Sequence, residues 1–198
     1  MTPERKKRLA DVLDTRQPDI TVVLENVSDP HNISAVMRTC DAIGIQDIYI
    51  LNTRIGIHKK WGAKSSSSAH KWITTHQFTD VAECVAALRK SYSKILTTHL
   101  SAGAVSLHEV DLTTSVALVF GNEHDGVSEE MRKLGDGNFI IPQVGMIRSL
   151  NISVACAVTL YEAMRQKINA GHYANRKLPA ERIDELMETW GYGYEESI

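Results

Sequence analysis

Three polar islands interrupt otherwise apolar segments of this 198-residue chain, and they carry its most reactive side chains. The first pairs Asn32 with Arg38, an amide and a permanently charged guanidinium six residues apart. The second is Gly121-Asn122-Glu123-His124-Asp125-Gly126, which sets two carboxylates and an imidazole directly after an apolar run. The third, Gly145-Met146-Ile147-Arg148-Ser149-Leu150-Asn151, offers a hydroxyl, an amide and a guanidinium behind a flexible glycine. Each also has a plainer reading. Arg38 alone is a solvated arginine, the second island alone is a turn, and Ser149 and Asn151 alone are helix caps.

Several chemistries lose their usual support. The chain has no G-x-G-x-x-G and no G-x-x-x-x-G-K-[ST], the loops that cradle dinucleotides and nucleoside triphosphates. It lacks H-E-x-x-H, G-x-S-x-G and any histidine pair at metal-binding spacing beside a carboxylate, so no metal is expected. A hydrolase built on His124 and Asp125 would lack a recognisable nucleophile. Cys40, Cys84 and Cys156 are odd in number and far apart, which argues against a disulfide scaffold and for a reduced, cytoplasmic setting. No apolar stretch approaches the ~18 residues of a membrane span, and no apolar signal follows the polar start.

The islands need elements to position them. Thr21 to Val27 is a β-branched, apolar run that predicts a buried strand. Asp29-Pro30-His31-Asn32 follows as a turn with Asn32 as candidate N-cap, and Ile33, Val36, Met37 and Cys40 recur at helical spacing until Gly44. Strands are expected at 47–51, 72–75, 94–98, 116–120 and 139–142, and helices at 80–92, 128–134, 152–168 and from Pro179 to Trp190. This alternation indicates an α/β fold with a mostly parallel sheet and helices on both faces, whose ligands bind beyond the carboxyl ends of the strands. The loops at 28–32, 97–100, 121–126 and 143–151 all follow strands.

Hydrophobic residues make up 43% of the chain and the net charge is −2, which does not advertise nucleic-acid binding. The sum hides a partition. Residues 54–71 hold Arg54, Lys59, Lys60, Lys64 and Lys71 without one acid, and Arg5-Lys6-Lys7-Arg8 is a second basic cluster. Acids concentrate after residue 180. The tract Ser65 to Ser68 is expected to be the moving part of the basic loop.

Taken together and in order, the islands resemble the three motifs of the SpoU (TrmH-type) RNA ribose 2′-O-methyltransferases of the SPOUT superfamily. The matching segments are Asn26-Val27-Ser28-Asp29-Pro30-His31-Asn32-Ile33-Ser34-Ala35-Val36-Met37-Arg38-Thr39, Leu118 to Val127, and Ile140 to Ala155. The resemblance covers about residues 20–170. It extends loosely to Arg16-Gln17-Pro18-Asp19 and Asn169-Ala170-Gly171-His172-Tyr173, which look like the tRNA guanosine-18 branch. Arg148 departs from the pattern, where an uncharged or acidic residue is usual.

The resemblance implies a deep trefoil knot at the carboxyl end, built from residues 118–165, on a domain spanning 20–170 between helical extensions at 1–19 and 171–198. It implies S-adenosyl-L-methionine as cofactor, held at Thr98, Gly121, Ile141 and Leu150, and a site of Asn32, Arg38, Glu123, Ser149 and Asn151. It further implies a homodimer packed through the knotted faces, with Arg38 acting within one chain or across the interface. The partner would be tRNA, gripped by Arg5, Lys6, Lys7, Arg8, Lys59, Lys60 and Lys64, with Trp61 placed to stack on a base. Ribosomal RNA and the tRNA wobble ribose are the rival substrates. A catalytically idle RNA-binding protein of the same fold is the rival function.

Overall fold

Apolar strands buried on both faces require helices above and below, and the chain supplies both layers. The structure, a computed structural model, describes residues 2–57, 69–101, 103–122 and 124–192. Its strands are β1 (Ile20–Glu25), β2 (Asp47–Leu51), β3 (Thr74–Phe78), β4 (Lys94–Thr98), β5 (Val105–Ser106), β6 (Val116–Phe120) and β7 (Gly137–Ile140). They form a seven-stranded sheet in the order β3-β2-β1-β6-β4-β7-β5. Every pairing between them is parallel. The helices are α1 (Pro3–Asp14), α2 (Pro30–Ile43), α3 (Val81–Arg89), α4 (Glu129–Leu134), α5 (Ile152–Asn169) and α6 (Ala180–Tyr192).

Alternation along the strands sorts the core into two layers. Val22 and Leu24 of β1, Ile48 and Ile50 of β2, and Leu118 and Phe120 of β6 face Ile33, Val36, Met37 and Cys40 of α2 and Cys156, Leu160 and Ala163 of α5. Val23, Tyr49, Leu51, Ala117 and Val119 point the other way, onto Val81, Cys84 and Leu88 of α3 and Met131 of α4. The chain runs outward from β1 through β2 to β3, then returns to the opposite side of β1. The order therefore reverses between β1 and β6, where open α/β sheets leave a crevice for ligands.

Several expected boundaries move. Asp29, not Asn32, caps α2: its carboxylate accepts from the His31 amide at 2.8 Å, with Pro30 at the first helical position. Asn32 thus lies inside the first turn. The strand expected at 72–75 occupies Thr74–Phe78, because Ala69–Lys71 forms a 3-10 turn that Trp72 closes. The strand expected at 139–142 occupies Gly137–Ile140, which leaves Ile141 and Pro142 in the following loop. The short β5 carries too little pattern to be seen in sequence. Lys59, Lys60, Trp61, Lys64, the serine tract and Glu123 lie outside the described residues.

The two terminal helices dock on each other. Leu9 and Leu13 of α1 pack with Leu178 and with Leu186 and Trp190 of α6. Beneath them Arg16 is fully buried. It donates to the Asp41 carboxylate at 2.7 Å, to the Ile45 carbonyl at 3.0 Å and to the Trp72 carbonyl at 3.2 Å. Its guanidinium also lies 5.4 Å from the Trp190 ring centre. A second charged knot ties α5 to the start of β1, where Lys167 and Lys177 both approach Asp19 Oδ2, at 2.9 and 2.8 Å. Burial raises the Asp19 carboxyl, but the hydrogen bonds from the two lysines outweigh it and hold its pKa below the ordinary value.

Gly44 ends α2 at φ 90°, and a Cβ there would stand 2.7 Å from the Thr15 carbonyl oxygen. Gly44→Ala combines a left-handed backbone with that clash. It should lower unfolding free energy by about 1–3 kcal/mol, read from urea denaturation.

Candidate active site

The first polar residue after β1 organises the crevice. Asn26 adopts φ 53°, a left-handed conformation that asparagine tolerates better than most side chains. Its side-chain oxygen accepts from the backbone amides of Thr53 and Arg54, both at 2.9 Å. Its backbone carbonyl accepts from Asn122 Nδ2 at 2.8 Å. The Asn122 side-chain oxygen in turn accepts from the His124 amide at 2.8 Å and, more weakly, from the Asp125 amide at 3.4 Å. Asp125 closes the circuit by accepting from Arg54 Nη1 at 3.1 Å. The segments after β1, β2 and β6 are thereby one hydrogen-bonded unit.

Gly121 begins the turn after β6. A Cβ at this position would lie 2.1 Å from the Gly126 carbonyl carbon and 2.2 Å from the Val127 nitrogen. No side chain fits, so the backbone of Gly126 and Val127 packs directly against Gly121, with the Gly126 amide donating to the Asn122 carbonyl at 2.8 Å. Behind this turn Glu25 is buried, and one of its carboxylate oxygens accepts from the Ser128 amide at 2.9 Å.

On the α5 side of the turn lies a cleft of about 320 Å³. Thr98, Phe120, Gly121, Leu150, Ile152 and Ala155 line it, and Ser149, Asn122, His124 and Asp125 stand around them. Thr98 is set in place by donating its hydroxyl proton to the Val119 carbonyl at 3.0 Å. Apolar walls with backbone groups at the glycine turn suit a flat heteroaromatic ring that needs edge hydrogen bonds. Of the four positions expected to hold a cofactor, Thr98, Gly121 and Leu150 border this cleft. Ile141 is packed against the core beneath the loop instead.

Two residues expected in the reaction site also meet. Asn151 caps α5 by accepting from the Ser153 amide at 2.8 Å, so the capping reading is correct. Its Nδ2 simultaneously donates to Asn32 Oδ1 at 3.2 Å, joining the first and third islands across α2 and α5. Ser149 and Arg148 are exposed on the preceding loop. The Arg38 side chain is exposed on α2 and makes no side-chain hydrogen bond or ion pair among the described residues. Arg5 to Arg8 lie on α1, where Lys7 pairs with Asp11 at 2.9 Å.

Asn26, Asn122 and Arg132 contribute to this edge although none of them is a site candidate in sequence; Asn26 and Asn122 lie within matched motif segments, and Arg132 lies outside them. An asparagine directly after a buried strand is a usable sign of a left-handed turn. Arg132, partly buried on a six-residue helix, carries no such sign.

Residues 19–161 match the SpoU rRNA Methylase family. A tRNA (guanosine(18)-2′-O)-methyltransferase from Thermus thermophilus is 41% identical over 189 residues, covering 96% of each chain. The Escherichia coli K12 protein of the same name is 38% identical over 194 residues, covering 97% of this chain and 84% of that one. The crystal structure of the A. aeolicus TrmH/SpoU tRNA modifying enzyme superposes with a TM-score of 0.89 at 37% identity, covering 98% of both chains. An AdoMet-bound rRNA methyltransferase from Sinorhizobium meliloti superposes with a TM-score of 0.68 at 26% identity, over 77% of this chain and 58% of that one.

Gly121→Ala tests the glycine turn. The new methyl group must displace the backbone at 126–127, so amide hydrogen exchange across 122–127 should rise at least 10-fold while the α1 and α6 amides keep their protection.

Proposed function

Since the chain belongs to the SpoU methylase family, we propose that it transfers a methyl group from S-adenosylmethionine to a ribose 2′-hydroxyl of tRNA, at guanosine 18. The observation that carries this reading is the Asn32–Asn151 contact, with the chain neighbours of Asn151, Leu150 and Ile152, lining a cleft that Thr98, Gly121 and Ser149 also border. It brings the first and third motifs together where the sheet order reverses. The resemblance to the guanosine-18 enzymes runs through both terminal helices, which favours tRNA over ribosomal RNA.

The residues fit the cofactor. The space at Gly121 that no side chain can enter leaves backbone groups facing the cleft, and Leu150, Ile152 and Ala155 supply apolar contact for an adenine ring. When bound, S-adenosylmethionine supplies an electrophilic methyl group on a sulfonium. Residues 118–165 would close around it as the trefoil knot typical of the family, an exception to the rule that chains do not thread their own loops.

The ribose hydroxyl is a weak nucleophile and must lose its proton as it attacks. Arg38 is a poor general base, because a guanidinium stays protonated. Its role in this reading is to hold a substrate phosphate and stabilise the oxygen as negative charge grows on it. Asn32, Glu123, Ser149 and Asn151 position the ribose and Arg38.

Helix geometry supports action across a dimer. Arg38 follows Asn32 by six residues, which places it about 9 Å farther along α2 and roughly 120° around it. The face that Asn32 and Asn151 share is therefore not the face that carries Arg38. Val154, Val158 and Tyr161 of α5 and Met146 and Ile147 of the preceding loop are exposed apolar side chains that a second copy would cover. A homodimer working in the cytoplasm completes the proposal.

The test of function is incubation with methyl-labelled cofactor and bulk tRNA, followed by mapping of the methylated ribose. Label at guanosine 18 is expected, and label confined to ribosomal RNA overturns the substrate assignment. Arg38→Lys should lower single-turnover rate about 10²-fold or more while cofactor affinity measured by calorimetry is retained. Mixed dimers of Arg38→Lys with Asn151→Ala chains should regain activity at one rebuilt site if Arg38 acts in trans.

A further inference from the structure

A second groove, of about 310 Å³, lies on the far side of the 122–126 turn and shares Asn122, Asp125 and Gly126 with the cofactor cleft. Arg54 and Arg132 border it. So do two carboxylates, and each of these already has a cation. Glu129 pairs with Lys133 at 2.7 Å, and Asp125 pairs with Arg54 at 3.1 Å.

Arg132 is different, since it has no carboxylate partner among the described residues. Its Nη1 lies 2.5 Å from Nε2 of His99, the residue after Thr98. Burial and the Arg132 charge both lower the His99 pKa, and a histidine ring carries no negative charge that could offset the arginine's. Arg132 Nε is also buried without an acceptor. The groove therefore carries one uncompensated guanidinium.

Arg54 is held in a way that permits exchange. Its backbone amide is fixed by Asn26 Oδ1 at 2.9 Å, whereas its ion pair with Asp125 is 60% and 68% exposed on the two sides. An exposed pair of that kind contributes little and is readily replaced, whereas a phosphate can accept two parallel bonds from one guanidinium. Resting on the reading of this protein as an RNA methyltransferase, we infer that the groove is a phosphate subsite for the RNA strand. A backbone phosphate beside the acceptor nucleotide takes Arg54 from Asp125 and neutralises Arg132, and Asp125 is the internal placeholder for that phosphate.

The experiment is equilibrium binding of tRNA to the full chain as a function of salt. Arg54→Gln and Arg132→Gln should each weaken binding and reduce the log–log salt slope by about 0.7–0.9, the value of one released phosphate contact. Arg54→Lys and Arg132→Lys, which keep the charge, should retain most of the slope. Asp125→Asn should tighten binding several-fold, and the gain should vanish in the Arg54→Gln, Asp125→Asn double variant. Unaltered slopes in both glutamine variants, or a gain that survives the loss of Arg54, overturn the subsite. Methyl transfer by the unsubstituted chain to the same tRNA is measured alongside. Its absence overturns the functional reading, and its presence with unaltered slopes overturns the subsite alone.

Discussion

Parallel strands that end side by side aim their last amides and carbonyls into one small space, and these groups must be satisfied before a loop there can hold a ligand. Asn26 meets that constraint. Its left-handed backbone turns the chain out of β1, its side chain receives the two amides that follow β2, and its carbonyl receives the side chain that follows β6. Gly121 adds a steric condition, since the backbone of Gly126 and Val127 can pack directly only against a residue without a Cβ. The cleft, the groove behind it and the Arg54–Asp125 pair are all consequences of how these few residues close the sheet's carboxyl edge.

Charge is distributed by a different logic at the opposite edge. Arg16 and the Asp19, Lys167 and Lys177 cluster are buried or half-buried, tightly paired and remote from the islands. Removing one member of such a buried pair costs several kcal/mol, because it strands the other charge out of water. The cations on the functional side are exposed or poorly compensated, as Arg38, Arg54 and Arg132 illustrate. Charges that hold the fold are each paired with a protein charge of opposite sign, whereas Arg38 and Arg132 have no carboxylate partner among the described residues.

Much of this was legible in the amino-acid order. The strands at 94–98 and 116–120 and the long helix from residue 152 follow from apolar period and length, and Gly44 and Ser128 mark helix ends by chemistry that is local. What failed was also local in cause. Asn32 looked like a cap because caps favour asparagine, but Asp29 precedes a proline and takes the position first. The contact between Asn32 and Asn151 spans 119 residues, so no window of sequence contains it. Motif resemblance pointed to both residues, while periodicity pointed to neither. The contact of Arg132 is with a histidine that follows β4, 33 residues earlier, and nothing in its own neighbourhood marks it.

The packing of α1 against α6 has a consequence for how the polypeptide is made. Leu9 and Leu13 have their apolar partners at Leu178, Leu186 and Trp190, nearly the whole described chain away. A ribosome delivers those partners on the order of ten seconds or more after the first helix has emerged. During that interval the basic side of α1 is exposed and its apolar stripe is uncovered, beside the nucleic acid of the ribosome itself. Until α6 has been made, α1 therefore has no intramolecular cover for its apolar stripe, and the burial of Leu9 and Leu13 waits on the synthesis of Leu186 and Trp190.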